Sequence, residues 1–296
     1  LGVMGAPMAG HLARAGHRLT VLDADRARTT QVAGEIGAQA AATPAEVARA
    51  SEVIVTMLPN GKVVQQVVLG DQGVLQGVRP GALLLDTSSA EPWLTERTAA
   101  ALAERGATMV DAPVSGAAWG AADASLVFMV GGAEADVARV RPLLERMGRS
   151  VHHLGGLGCG HAMKCLNNCI TAMTFAATSE ALVAGKRYGL DPKAMVDVLN
   201  ESTGGSWITQ THYHQRIFNR TFDDPFKLAL MLKDVGIALQ LAKQTASPMP
   251  MAGLGQQLWA MADHQAGAGA SVSELVRWVE RLSGTELTPG AGPRQS

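Results

Sequence analysis

An ammonium and a carboxamide four residues apart, Lys164 and Asn168, lie in the stretch GLGCGHAMKCLNN at residues 156–168, just after Gly158 and Gly160. Glycines there can bring the chain closely into a helix start, and helical spacing then sets Lys164 and Asn168 on one face near a positively polarised N-terminus. Such a pair suits a small substrate with a carboxylate. The same stretch holds Cys159, Cys165 and His161, and the third cysteine, Cys169, follows it directly. Soft-metal sites draw ligands from separate elements, so no metal centre is read here. Spacings of i and i+4 do not favour an intrahelical disulfide either, and a reducing cytoplasm fits the chain.

Two domains are needed to position these groups. The chain has 296 residues, 47% of them hydrophobic and 17% charged, with a net charge of −1. Without a basic stripe or a Lys/Arg-rich amphipathic segment, nucleic acid and membrane surfaces are not expected as partners. No apolar run reaches the roughly 18 residues of a membrane-spanning helix.

The first half, residues 1–157, reads as a Rossmann-type α/β domain with a doubly wound, mainly parallel sheet. The opening residues Leu1, Gly2, Val3, Met4 and Gly5 look like the tail of a phosphate-binding turn, with its first strand and first glycine expected before residue 1. A short amphipathic helix closed by Gly16 follows, then a strand ending in Asp23. A glycine turn, a helix, a strand and an acid at this distance form the dinucleotide-binding arrangement. Backbone N–H groups of the turn approach a pyrophosphate, and Asp23 accepts from the ribose hydroxyls. NAD is therefore the expected cofactor, with NADP possible because Arg26 and Arg28 lie nearby. Apolar runs at 51–59, 81–89, 107–116 and 124–132 read as further strands, and 150–156 closes the domain. Ligands collect at the carboxyl ends of such strands, which nominates Leu58, Pro59, Thr87, Ser88, Ser89, Ser115 and Gly116.

After Gly160 the period changes to that of helices. Helices are expected over 161–188, 192–201, 227–244, 251–265 and 271–282, giving an all-α second domain over 158–287 joined by a long interdomain helix. Residues 207–226 read as a loop or broken helix able to cover a cleft, with His212 and His214 as loop residues. Arg216 and Arg220 read as a solvated pair, and 288–296 as a disordered tail. The helical domain is also the expected surface for a homodimer or homotetramer.

LGVMGAPMAGHL, the MLP of Met57 to Pro59, the DTSS of Asp86 to Ser89, the DAPVSG of Asp111 to Gly116, the block around Lys164 and the KD of Lys233 and Asp234 occur in order. On these six blocks the chain resembles the β-hydroxyacid dehydrogenase family over nearly its whole length. The resemblance implies that Lys164 is the catalytic lysine and that Ser115, Gly116 and Asn168 grip the substrate carboxylate. It also implies that Ser89 and Lys233 lie along the cofactor. Ala117, beside the carboxylate grip, stands where a further glycine is common in the family.

Hydride transfer between an alcohol and a carbonyl needs one group that can both give and take a proton, a role Lys164 fills in this reading. No Ser-His-Asp constellation competes with it. The expected reaction is interconversion of a short 3-hydroxy acid, such as 3-hydroxyisobutyrate or glycerate, with its semialdehyde. An imine reductase and a non-catalytic dinucleotide-binding sensor are the alternatives, since fold alone does not settle function.

Overall fold

The computed structural model describes residues 1–292, and the chain divides into two compact units that part between Lys164 and Cys165. In the first unit α1 (Gly5–Arg14), β1 (Thr20–Val21), α2 (Arg26–Ile36), β2 (Gln39–Ala40), α3 (Pro44–Ala50) and β3 (Val53–Thr56) alternate. They are followed by α4 (Gly61–Leu69), β4 (Leu83–Asp86), α5 (Pro92–Ala103) and β5 (Thr108–Asp111). Then come β6 (Val114–Ser115), α6 (Ala117–Ala122), β7 (Leu126–Val130), α7 (Glu134–Met147) and β8 (Gly148–His153). Helix starts are written locally in several places: the side chains of Asp25, Thr43 and Asn60 accept from backbone N–H groups of α2, α3 and α4, satisfying donors that a helix start leaves unpaired.

β1 pairs with β2, and β3, β4 and β5 pair in that order, all in parallel. β7 pairs with β8 in parallel and with β6 in antiparallel fashion. β4 shows why its run is apolar throughout. Leu83 and Leu85 enter one buried cluster with Val110, Phe128 and Leu144, while Leu84 enters another with Ile54, Val68 and Met109. Alternate residues thus feed cores on opposite faces, as period-2 geometry requires of a sheet covered on both sides.

Two strand expectations are corrected. The run at 107–116 is not one strand but two, because Pro113 interrupts it. Ala112 N–H still donates to the Asp86 carbonyl, whereas the Pro113 carbonyl accepts from Met129 N–H, so the chain leaves β4 and turns to β7 where proline has no donor to give. β2 went unread because both its residues are exposed and carry no apolar run.

The helix α8 (Cys159–Tyr188) begins in the first unit and continues into the second. It is followed by α9 (Pro192–Asn200), α10 (Trp207–His212), α11 (Leu228–Gln244), α12 (Pro250–Ala266) and α13 (Glu274–Ser283). Phe175, Tyr213, Val235, Trp259 and Leu275 are fully buried in one cluster. Its polar atoms are paired: Trp259 Nε1 donates to the Ala172 carbonyl and the Tyr213 hydroxyl meets Ser179 Oγ at 2.9 Å. Among the described residues no helix is long and apolar enough to cross a membrane.

Three expectations for this half change. His212 and His214 are helical rather than loop residues, at the end of α10 and in the π-helical turn Tyr213–Ile217. Each faces a carboxylate, His212 Nε2 at 2.8 Å from Asp224 and His214 Nε2 at 3.0 Å from Asp197. Arg216 and Arg220 are not a solvated pair: the first meets Asp223 and Asp224, the second holds both oxygens of the buried Glu280. The segment from Thr288 is anchored where it starts. Leu287 is buried, Lys186 Nζ donates to the carbonyls of Thr288 and Gly290, and Gly290 N–H donates to Asp191. Residues 293–296 lie outside the described residues.

Candidate active site

The opening turn and Asp23 come together. Leu1, Gly2, Val3 and Met4 lead into α1, whose first turn has no acidic residue and no side-chain cap; Ala6 N–H donates to the Gly2 carbonyl and Pro7 has no N–H to give. A Cβ added at Gly2 would meet no protein atom within 4 Å, so nothing in the chain itself demands glycine there. Asp23 Oδ1 accepts from Asp25 N–H at 2.9 Å, and Asp23 N–H donates to Thr29 Oγ1 at 2.8 Å, which fixes the end of the strand that carries the acid. Arg28 Nε donates to the Leu1 carbonyl, so a cation shares this corner with the acid.

The loops after β3 and β4 are laced to each other. Leu58 N–H donates to Ser88 Oγ at 2.9 Å, Thr56 Oγ1 donates to Asp86 Oδ1 at 2.8 Å, and Ser88 N–H also donates to Asp86 Oδ1. Pro59 is exposed beside Leu58 and Ser89 is half-buried beside Ser88. The nominated residues of the two loops therefore form one tied edge.

The start of α8 is fastened to the end of β5. Asp111 is fully buried; its Oδ1 accepts from Gly158 N–H and its Oδ2 from His161 N–H, both at 2.7 Å. One carboxylate thus satisfies two of the donors that a helix start leaves unpaired. Burial pushes its carboxyl above the ordinary range, with His161 and the two backbone donors opposing the shift. Close approach is possible because Gly160 has no side chain: an added Cβ would strike the Met129 carbonyl oxygen and lie 2.8 Å from Asp111 Oδ2. His161 is fully buried, its Nε2 3.1 Å from the Ser88 carbonyl and its Nδ1 2.7 Å from Thr95 Oγ1. Lys164, half-buried, follows one turn later.

Ser115, Gly116 and Ala117 form the bend between β6 and α6. Gly116 has φ +131° and its Cβ would lie 3.2 Å from Leu126 Cδ2, so only glycine fits. Ala117 also has a positive φ, +52°, in the left-handed region that explains why glycine suits this position.

In the second unit Asn168 is buried and its Nδ2 donates to Asp234 Oδ2 at 2.6 Å, while its Oδ1 accepts from Asn167. Lys233 Nζ lies 3.1 Å from Asp234 Oδ1. An ionised carboxylate only accepts, so Asp234 settles which end of the Asn168 amide faces it. Burial, reinforced by Asp234, pushes the Cys165 thiol up to about 12. Among the described residues no three His, Cys, Asp or Glu side chains converge as metal ligands.

Sequence reading assigned no role to Asp86, Asp111, His161 or Asp234. A trace of the first two was present, an acid ending the otherwise buried apolar runs LLLD and TMVD. Nothing in the sequence paired His161 with Thr95 or Ser88.

Residues 1–155 match the family described as the NAD binding domain of 6-phosphogluconate dehydrogenase. Residues 158–279 match that described as the NAD-binding domain of NADP-dependent 3-hydroxyisobutyrate dehydrogenase. A 3-hydroxyisobutyrate dehydrogenase of Pseudomonas aeruginosa is 36% identical over 94% of this chain and 96% of its own. A 2-hydroxy-3-oxopropionate reductase of Escherichia coli is 37% identical over 97% of each. Among solved structures, a Mycobacterium tuberculosis 3-hydroxyisobutyrate dehydrogenase with L-serine superposes with a TM-score of 0.86 at 33% identity, covering 94% of this chain and 96% of that one.

Proposed function

The chain belongs to the β-hydroxyacid dehydrogenase family of NAD(P)-dependent oxidoreductases, and on that premise we propose that it interconverts a short 3-hydroxy carboxylic acid and its semialdehyde. The observation that carries this reading is the anchored start of α8. Asp111 fixes the turn that precedes Lys164, within the unit that also holds the dinucleotide turn. The nicotinamide, when bound, supplies the hydride acceptor or donor. Gly2, Val3, Met4 and Gly5 would receive the pyrophosphate and Asp23 the ribose, with Leu58, Pro59, Ser89 and Lys233 along the cofactor. Lys164 takes the proton from the substrate hydroxyl in oxidation and returns it to the carbonyl oxygen in reduction. Ser115, Gly116, Ala117 and Asn168 hold the carboxylate, a charge-assisted set that favours acids over neutral analogues.

A short acid is favoured over a phosphosugar because Arg216 and Arg220 are committed to Asp223, Asp224 and Glu280. The reading includes a cytoplasmic location and a homodimer or homotetramer built through the helical half. Exposed Met251, Leu254 and Met261 on α12 support the association.

Turnover of 3-hydroxyisobutyrate and glycerate, of their methyl esters, and of 6-phosphogluconate tests the reading. The acids are expected to exceed their esters in kcat/KM by about 10-fold or more, the scale of one lost charge-assisted hydrogen bond. Esters that work as well as acids would remove the carboxylate grip, and absence of turnover with any hydroxy acid would favour the sensor. With the best acid, NAD is expected to exceed NADP in kcat/KM, because the Asp23 carboxylate repels a 2′-phosphate. Arg28 beside it makes this discrimination rather than exclusion, and equal efficiency with NADP would count against Asp23.

A further inference from the structure

We propose that His161 is a positioning residue for the proton transfer: its buried imidazole holds the first turn of α8 against the loop that carries Ser89, and so sets where Lys164 delivers its ammonium. The proposal rests on the acid–base reading of Lys164. Its warrant is geometric. The Ser88 carbonyl can only accept, so Nε2, 3.1 Å away, carries a proton toward it. Nδ1 meets the hydroxyl of Thr95 on α5 at 2.7 Å, and that hydroxyl is itself within reach of the Glu91 carbonyl. The ring also lies 3.7 Å from Asp86 Oδ2 and 3.8 Å from Asp111 Oδ2.

Asp86 Oδ2 has no hydrogen-bond partner although it is buried, which leaves the imidazole as the polar group beside it. One side chain thereby connects the ends of β4 and β5 and the start of α5 to α8. Asp111 alone pins the backbone of that turn at two N–H groups. It does not connect the turn to Ser88 and the tied edge of the β3 and β4 loops; His161 does. Lys164 lies three residues farther along the helix, so rotation or withdrawal of the first turn moves it directly. A displacement of about 1 Å in a group that takes part in the chemistry can lower a rate by 10²-fold.

A double-mutant cycle tests the proposal on the full-length protein with its best hydroxy acid. His161→Ala is expected to lower kcat about 10- to 100-fold, with the cofactor Kd within about twofold of wild type, as for a group acting on the chemical step rather than on binding. His161→Gln, whose amide can meet Ser88 and Thr95, is expected to restore most of that loss. In a Lys164→Ala background His161→Ala is expected to lower the residual turnover no further, because the two act as one unit. A folded His161→Ala with wild-type kcat overturns the proposal. So does an equal loss in both backgrounds, the signature of a merely structural role. If His161→Ala does not fold, Thr95→Val, which removes only the hydroxyl facing Nδ1, takes its place in the cycle under the same criteria. Lys164→Ala with wild-type turnover is a separate result that overturns the acid–base reading and this proposal with it. Failure of the proposal alone leaves Lys164→Ala inactive and His161→Ala active.

Discussion

Lys164→Ala is expected to lower kcat by about 10²-fold or more while leaving the cofactor Kd and the thermal transition near wild type, the scale and pattern of a lost acid–base group. The side chain is half-buried in the second turn of α8, and alanine is the best helix former, so truncation there removes chemistry without unsettling the helix. The carbonyl oxygen must gain a proton when hydride reaches its carbon, and in the reverse direction the hydroxyl must lose one. Steady-state rates in both directions, with cofactor binding followed by fluorescence, check the expectation. A variant retaining half of its turnover would sink the assignment, and loss of cofactor binding together with activity would mark Lys164 as a binding residue instead.

The second large effect is expected at Gly160, which touches no ligand in the proposed reaction. An added methyl group would strike the Met129 carbonyl oxygen and lie 2.8 and 2.9 Å from Asp111 Oδ2 and the Asp111 carbonyl oxygen. Two of these are backbone atoms, and the third is a fully buried carboxylate oxygen held by His161 N–H. The start of α8 would have to move off the sheet, loosening the bonds from Gly158 and His161 to Asp111. Overpacking and weakened buried hydrogen bonds together are expected to destabilise Gly160→Ala by about 3 kcal/mol, on the order of 10 °C in the transition of the first unit. Because Lys164 follows one turn later, kcat is expected to fall as well, in protein that is still folded at the assay temperature. Calorimetry and turnover on the same preparation measure both. Unchanged stability would show that the helix start tolerates displacement, and lower stability with full kcat would separate that anchoring from catalysis.

Part of the fold around the candidate site was legible because its determinants are local. Gly2 to Gly5, the helix after them and Asp23 lie within one short segment whose order in the chain is the order of the dinucleotide motif, so residue types and spacing sufficed. Lys164 and Asn168 were placed on one helix by periodicity alone, and α8 does carry both. The two-sided burial of β4 was written in its uninterrupted apolar run, since a strand covered on both faces has no polar alternate positions.

The parts that only tertiary structure decided depend on residues far apart in the chain. Pro113 ends one pairing and admits another, but its partner strand β7 is set by packing, so the apolar run 107–116 by itself does not show the break. The histidines of 207–226 read as loop residues because a spacing of two puts them on different helix faces within a mixed aromatic and polar segment, whereas packing makes that segment helical and sets each against a distant carboxylate. Thr288 and Gly290 are held by Lys186, about a hundred residues earlier, and no composition rule anticipates an ammonium that needs carbonyl acceptors. At the candidate site the sequence supplied Lys164, the group to which the family resemblance assigns the proton transfer. Tertiary structure decided what fixes that group, through Asp111 beneath the helix start and His161 beside Thr95 and Ser88. A side chain's chemistry belongs to its residue type, whereas its position comes from hydrogen bonds between segments that only the folded chain brings within 3 Å of each other.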